Sequence, residues 1–307
     1  MGRGEHEETT ALIAASHAIL AREQPTTVRR VVYELFNQKL IPATDKGAEN
    51  KVSRLLTIGR NDGRIPWAWI VDEHRRPERT LTFRDRDHAI RLVKERYRKD
   101  YWPTQPYMVT VWSEKSTVAG ILAPVLREYE LPFLPVHGNN STTKIHEAAD
   151  AQIRDGRPWT VLYIGDWDPA GCYMSAVDAP TRVRKYHANI RIQRVALLHS
   201  DVIAAPRLCC DVDDKRKAAV ARHGDKVGKR GIDNNKPWFM ERYGRDCMEL
   251  DAMNSNDLRA RMEMAIRGYI DPKAWEHMRL VEKAEIDSIN EILGRFHGTP
   301  PAIVGHA

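Results

Sequence analysis

The sequence predicts an α/β chain, with a small helix-turn-helix unit preceding a mainly parallel, Rossmann-like sheet. Three observations carry this. Strand and helix patterns alternate from residue 107 to residue 200, and repeated β-α units build parallel sheets covered on both faces. Apolar residues recur at helical spacing on both sides of a turn between residues 25 and 60. The apolar run Thr160–Ile164 ends in Gly165-Asp166-Trp167-Asp168-Pro169, a buried strand giving way to a helix that holds proline in its first turn.

The chain has 307 residues, 42% of them hydrophobic, enough for about two domains with packed cores. No apolar run approaches the ~18 residues of a membrane span. Met1–Thr10 is polar and acidic and lacks a signal-peptide core. A soluble protein of the cytoplasm (nucleoid or host-cell cytoplasm) with no membrane partner is expected. Cys172, Cys209, Cys210 and Cys247 follow no zinc spacing and form no disulfide scaffold pattern. A net charge of +6 favours a polyanionic partner.

In order, residues 1–24 form an N-terminal helical arm through Ala11–Ala21, which packs on the body or on a second copy. Residues 25–78 form a second unit. Pro25-Thr26-Thr27 caps a helix carrying Val28, Val31, Val32, Leu35 and Phe36. A second helix, from about Gly47 to Ile58, stops at Asn61-Asp62-Gly63. Ile65–Val71 then alternates like a strand. Helix, turn, helix and β extension is the layout of a winged helix, which sets one helix in the DNA major groove. Arg29, Arg30, Lys51, Arg54, Arg60 and Arg64 are its candidate phosphate contacts.

Residues 79–106 read as a linker helix, preceded by the basic run Arg75, Arg76 and Arg79. Residues 107–270 are the sheet domain, with strands at 107–112, 133–136, 160–164 and 190–198. A charged insertion at about 201–246 interrupts it and is long for a loop in a compact domain. Asn254–Ile266 and Pro272–Phe296 are helical, and residues 271–307 form a C-terminal helix and tail.

Asp166 and Asp168 are two apart, so on an extended segment they share a face. Side-by-side carboxylates repel unless a cation lies between them, the arrangement that Mg2+ needs. Glu114 follows the strand ending at Trp112. If those two strands are neighbours, three carboxylates meet at one sheet edge. The turn Gly138-Asn139-Asn140 should lie at the same edge.

Glu114-Lys115 after one strand, a glycine turn after the next, and Asp166-x-Asp168-Pro169-x-Gly171 after the third resemble a Toprim domain. The Asp-Trp-Asp-Pro-Ala-Gly form is most similar to the topoisomerase VI A subunit and the related meiotic double-strand-break protein. Thr27–Tyr33 resembles the tyrosine motif on that family's winged helix, although Val32 stands where a second aromatic is common. Cys247–Met253 resembles its late Glu-x-x-Ala-Leu segment. Together these cover about residues 25–270. The chain is similar to small relatives of the A subunit found in phages and mobile elements.

The resemblance implies Mg2+-dependent cleavage of double-stranded DNA, with topoisomerase activity. Tyr33 would attack a phosphodiester and form a 5′-phosphotyrosyl link, with Glu114, Asp166 and Asp168 holding the metal. Arg29 or Arg30 would activate the phenol, whose unperturbed pKa is ~10, and stabilise the phosphate. Lys115 joins the DNA-binding residues. In the family the tyrosine of one subunit works with the metal site of another, so a homodimer is implied. The chain carries no ATP-binding glycine loop. Duplex passage would require a separate GHKL-type ATPase B subunit. A Toprim nuclease using metal-activated water, and a non-cleaving DNA-binding protein, are the rival readings.

Overall fold

The computed structural model describes residues 3–70, 82–136, 141–215 and 234–296. The chain divides into two compact units, Met1–His74 with Val109–Tyr269 and Arg75–Met108 with Ile270–Ala307.

The first unit begins with three helices, α1 (Arg3–Glu23), α2 (Val28–Asn37) and α3 (Lys46–Asn61). Helical spacing turns Leu12, Ile13, Ile19, Leu20, Val31, Val32, Leu35, Val52 and Leu56 into one shared core. The N-terminal arm therefore packs on its own chain. Thr27 caps α2 by accepting from Arg30 N at 3.0 Å, and Asp45 caps α3 by accepting from Ala48 N at 2.9 Å. A Cβ at Gly59 would come within 2.8 Å of Ile65 Cδ1, so the glycine lets Ile65 seat against α3.

The expected strand Ile65–Val71 does not form as such. Trp67–Trp69 is a 3-10 turn introduced by Pro66, and Ile70 makes only an isolated bridge to Thr26. Proline fixes φ and removes a ladder donor, which favours the turn. Trp69 then packs against His17, with ring centroids 5.1 Å apart. Among the described residues this unit is three helices without a wing hairpin.

The second layer is an α/β sheet. Its strands are β1 (Met108–Ser113), β2 (Phe133–Pro135), β3 (Trp159–Ile164) and β4 (Ile190–Ala196). They are parallel and lie in the order β2-β1-β3-β4. The connecting helices are α5 (Thr117–Glu128), α6 (Ser141–Asp155), α7 (Pro169–Tyr173) and α8 (Ala179–Lys185). A π turn at Met174–Asp178 joins α7 to α8. β3 is buried from Thr160 to Ile164, as a parallel strand covered on both faces must be. Trp112, Ile145, Val161, Tyr163 and Val183 pack around it.

The region read as an irregular insertion is partly ordered. It contains α9 (His199–Ala204), β5 (Cys209–Asp211), a helical turn at 212–215, α10 (Asn234–Tyr243) and β6 (Asp246–Met248). β5 and β6 pair antiparallel, with Cys210 opposite Cys247. Short three-residue strands carry too little periodicity to be read from sequence. β6 also bridges Trp167, through reciprocal 2.9 Å backbone bonds between Trp167 and Met248. Helix α11 (Ser255–Arg267) closes the unit.

The helical layer and the sheet belong to one unit rather than two. Thr26 and Ser255 hydroxyls meet at 2.6 Å, Thr27 donates to Asp251 at 2.7 Å, and Arg30 donates to Ala252 O at 2.8 Å. Arg259 reaches the carbonyls of Glu23, Pro25 and Ile121 at 2.9–3.1 Å.

The second unit pairs α4 (Arg86–Arg96) and the turn after it with α12 (Pro272–Phe296). Tyr97 and Tyr101 donate to Glu285 and Glu282, and Lys99 pairs with Glu285 at 2.7 Å. The linker helix and C-terminal helix are thus partners. Arg75, Arg76, Arg79, the turn Gly138-Asn139-Asn140 and the basic part of the insertion lie outside the described residues.

Candidate active site

Ligands in open α/β sheets gather outside the carboxyl ends of the strands. β1 and β3 are neighbours and parallel, so Glu114 and the Asp166–Asp168 loop emerge at one edge. A Cβ added at Gly171 would lie 3.4 Å from both Glu114 Oε1 and Asp168 Oδ1 and 2.6 Å from Asp166 O. The carboxylates of Glu114 and Asp168 therefore meet around Gly171, where any Cβ would collide with the Asp166 backbone carbonyl, and the Asp166 carboxylate is close enough to act on Glu114 by its charge.

Two carboxylates that sequence reasoning did not select join them. Glu249 and Asp251 follow β6, on either side of the buried Leu250. Leu250 N donates to Asp166 Oδ1 at 2.8 Å, tying this segment to the aspartate loop. The signal was available: two acids at alternate positions beside a buried leucine.

Three cations neutralise the cluster. Lys115 Nζ lies 2.8 Å from Asp166 Oδ1 and 2.9 Å from Asp251 Oδ2. Lys215 Nζ lies 3.0 Å from Asp166, 3.4 Å from Glu249 and 3.6 Å from Asp168. Arg29 pairs with Glu249 and, at 2.9 Å, with Glu49. Burial alone would raise the Asp166 pKa, but Lys115 and Lys215 outweigh it and hold the carboxyl well below the usual range. Glu249 is lowered in the same way, burial being overcome chiefly by Lys215. Lys115 and Lys215 pair with the other carboxylates rather than with Glu114. Burial, with the charges of Asp168 and Asp166, pushes Glu114 up to about 7.

Arg194 of β4 was read only as a strand residue and organises the loop. It donates to Leu197 O at 2.6 Å, to Gly171 O, Ser175 Oγ and Gly165 O at 2.9 Å each, and to Asp166 O. Its guanidinium lies 5.4 Å from the Tyr163 ring centre and 5.5 Å from that of Trp167. Arginine's rigid fork suits this multiple recognition of carbonyls. An arginine in a strand carries no sequence signal for such a clamp.

Tyr33 borders the same cluster within one chain. It is 6% exposed, and Arg29 lies 5.6 Å from its ring centre. Burial and the charge of Glu249 push its phenol up to about 12, against the opposing pull of Arg29 and Lys215. The expected lowering by Arg29 is present but outweighed by burial and by Glu249. Arg30, expected beside the reacting phosphate, is only 3% exposed. It pairs with Glu23 at 2.8 Å and Glu34 at 2.7 Å. These pairs, with its bond to Ala252 O, tie Arg30 into the fold on α2.

The remaining basic candidates lie apart from this cluster. Lys51 pairs with Glu8 at 2.8 Å and Arg64 with Asp62 at 2.6 Å, both on the surface. Arg60 covers the Trp67 ring at 5.0 Å, and Arg54 is exposed. Lys115, expected at DNA, is enclosed among the carboxylates.

The donor set is all carboxylate oxygen, which suits a hard cation such as Mg2+. An ammonium already stands among three of these oxygens. Among the described residues no group of three or more His, Cys, Asp or Glu side chains stands ready in metal-binding geometry. Among the described residues Tyr163 Oη is buried without a hydrogen-bond partner, and burial with the charge of Glu114 pushes its phenol well above the ordinary range. No helix of the described chain is long and apolar enough to cross a membrane. Compared with known proteins, the chain matches no family model and no curated protein.

Proposed function

We propose that this protein cleaves double-stranded DNA by transesterification, with Tyr33 as nucleophile and Mg2+ held by Glu114, Asp166 and Asp168. The observation that carries the reading is the meeting of these carboxylates at a parallel sheet edge, with a tyrosine at the border of the same cluster. Bound there, the cation would offset charge on the phosphate and the departing oxygen.

The chain's own groups divide the remaining work. Tyr33 Oη forms the bond to phosphorus while the bond to the 3′ oxygen breaks. The phenol gives up one proton and the 3′ oxygen takes one, so resealing is the same step in reverse. Arg29 exchanges Glu249 for a phosphate oxygen, which brings its charge to the reacting centre. Surface Arg54, Arg60, Lys51 and Arg64 supply duplex contacts, whose strength falls with salt. The protein works as a homodimer, and any strand passage depends on a separate ATPase subunit.

The test is cleavage of supercoiled DNA with Mg2+, denatured with and without protease. Protein-linked 5′ ends that disappear in Tyr33→Phe support the reading, and free ends that persist in Tyr33→Phe overturn it. The buried, high-pKa phenol favours the second outcome as a real alternative, a Toprim nuclease in which water attacks. Mixing Tyr33→Phe with Asp166→Ala protein separates two arrangements. Restored cleavage means that tyrosine and carboxylates act across subunits. No restoration means that they act within one chain.

A further inference from the structure

We propose that Lys215 is a built-in counter-cation that holds one cation position of the carboxylate site and competes with divalent metal for it. The proposal rests on the metal-dependent reading above and concerns what this chain does before metal arrives.

The evidence is how each carboxylate divides its two oxygens. Asp166 Oδ1 is held at 2.8 Å by both Leu250 N and Lys115 Nζ, and Oδ2 faces Lys215 at 3.0 Å. Asp168 Oδ1 accepts from Gly171 N at 2.8 Å, and Oδ2 faces Lys215 at 3.6 Å. Glu249 Oε2 pairs with Arg29, and Oε1 faces Lys215 at 3.4 Å. One oxygen of each carboxylate is thus fixed by a partner other than Lys215. The other three point at a single nitrogen.

This arrangement would be oriented without Lys215, and it has the character of a cation site rather than a chance pair. The ammonium donates to Asp166 and Glu249 and faces Asp168 as an ion pair. The same oxygen face accepts a hard divalent ion, which brings two charges where lysine brings one. The two cannot share the position. Lys215 lies in the helical segment at 212–215, so its side chain reaches the cluster from an element separate from the strands that carry the aspartates. It can leave without disturbing them. Glu249 is then a ligand of the same position, from the segment after β6.

The lysine solves a problem of the empty site. Several buried carboxylates without a cation would repel one another and destabilise the fold. Lys215 neutralises them at rest, and it sets a threshold of metal concentration for loading.

The test is Mn2+ binding to the full chain, read from the loss of the free-ion electron paramagnetic resonance signal. Removing one positive charge from the position should tighten binding roughly tenfold or more in Lys215→Met. Lys215→Arg, which keeps the charge, should stay near the wild type. Lys215→Gln keeps a donor without the charge and should bind like Lys215→Met, which covers the case where Met disturbs folding. Asp166→Asn in either background should abolish the gain. Equal or weaker binding by both Lys215→Met and Lys215→Gln overturns the proposal while the metal reading stands. Absence of Mn2+ binding in wild type and all variants overturns both. Tight binding that survives Asp166→Asn places the metal elsewhere and also overturns the proposal.

Discussion

The two halves of the candidate site are built on opposite principles. The carboxylate edge is crossed by lysines, and every acid of it except Glu114 is held by a hydrogen-bond donor. The Tyr33 side is closed, and burial keeps its phenol neutral. The carboxylates hang from strand ends and glycine-bounded loops, where backbone N–H groups are free to orient them. Tyr33 rides on α2, whose other face belongs to a hydrophobic core. The carboxylate side is therefore charged and held in the resting chain, and the phenol side is shut. The proposed reaction would need a change at the seam between them, where Arg29 and Glu249 meet.

The largest effect that sharpens this contrast is expected at Arg30. Its removal leaves Glu23, which is 0% exposed, as a buried charge without its guanidinium. Breaking a buried pair in this way costs about 3–5 kcal/mol. Urea unfolding of Arg30→Ala should show that loss. A variant of wild-type stability that cannot cleave DNA would return Arg30 to the reacting centre.

Next comes Arg194, which belongs to the carboxylate half. Truncation to alanine removes the donor to Asp166 O and one donor each to Gly165 O and Gly171 O, which keep Leu197 N and Ser175 Oγ, at about 1–3 kcal/mol. It should also weaken Mn2+ binding, since the Asp166 loop loses its clamp. Arg194→Lys should fail to restore either property, because a single ammonium cannot serve these acceptors together. Full rescue by lysine would show that charge alone matters there.

Much of the carboxylate half was legible in the sequence. An apolar run ending in Asp-x-Asp-Pro has few structural solutions, and Glu114 after the preceding strand followed from the alternation of elements. Helices α2 and α3 announced themselves by spacing and caps. What was hidden depends on chain closure. Glu249, Asp251 and Lys215 reach the cluster from segments beyond the last strand read from the sequence, residues 190–198. Their neighbours Cys247 and Met248 pair with a strand too short to announce itself. The segment expected as a strand at Ile65–Val71 differs for another reason. The alternation of Ile65–Val71 is real, but Pro66 and the pull of the core on Trp69 redirect it into a turn. That the helical unit and sheet form one body was equally invisible, because Thr26, Thr27 and Arg259 hold it through hydrogen bonds without periodicity.

The closed state of Tyr33 makes a pH prediction. Its folded pKa of about 12 lies above the unfolded value of ~10. The neutral phenol is favoured by the fold, so its contribution is fully present below pH ~10 and is lost as pH rises through about 12. The total is about 2–3 kcal/mol by linkage. The difference between wild type and Tyr33→Phe in ultraviolet tyrosinate titration should isolate one phenol ionising near 12. A component near the ordinary value would mean that the tyrosine side is open at rest, and the contrast between the halves would collapse.

The smallest expected effect lies at the seam itself. Thr27 Oγ1 accepts from Arg30 N at 3.0 Å as the cap of α2, and donates to Asp251 Oδ1 at 2.7 Å. Asp251 in turn holds Lys115 at 2.9 Å, so one hydroxyl links the tyrosine helix to the carboxylate cluster. Thr27→Ala should cost about 1 kcal/mol, the usual worth of an N-cap. Thr27→Ser should restore most of it. If the hydroxyl only caps the helix, its loss adds independently to that of Lys115→Met. If it transmits between the halves, the double variant costs less than the two single changes together, because each already breaks the same chain of contacts. Denaturant midpoints of the four proteins decide between these, and strict additivity would leave the two halves adjacent but energetically separate.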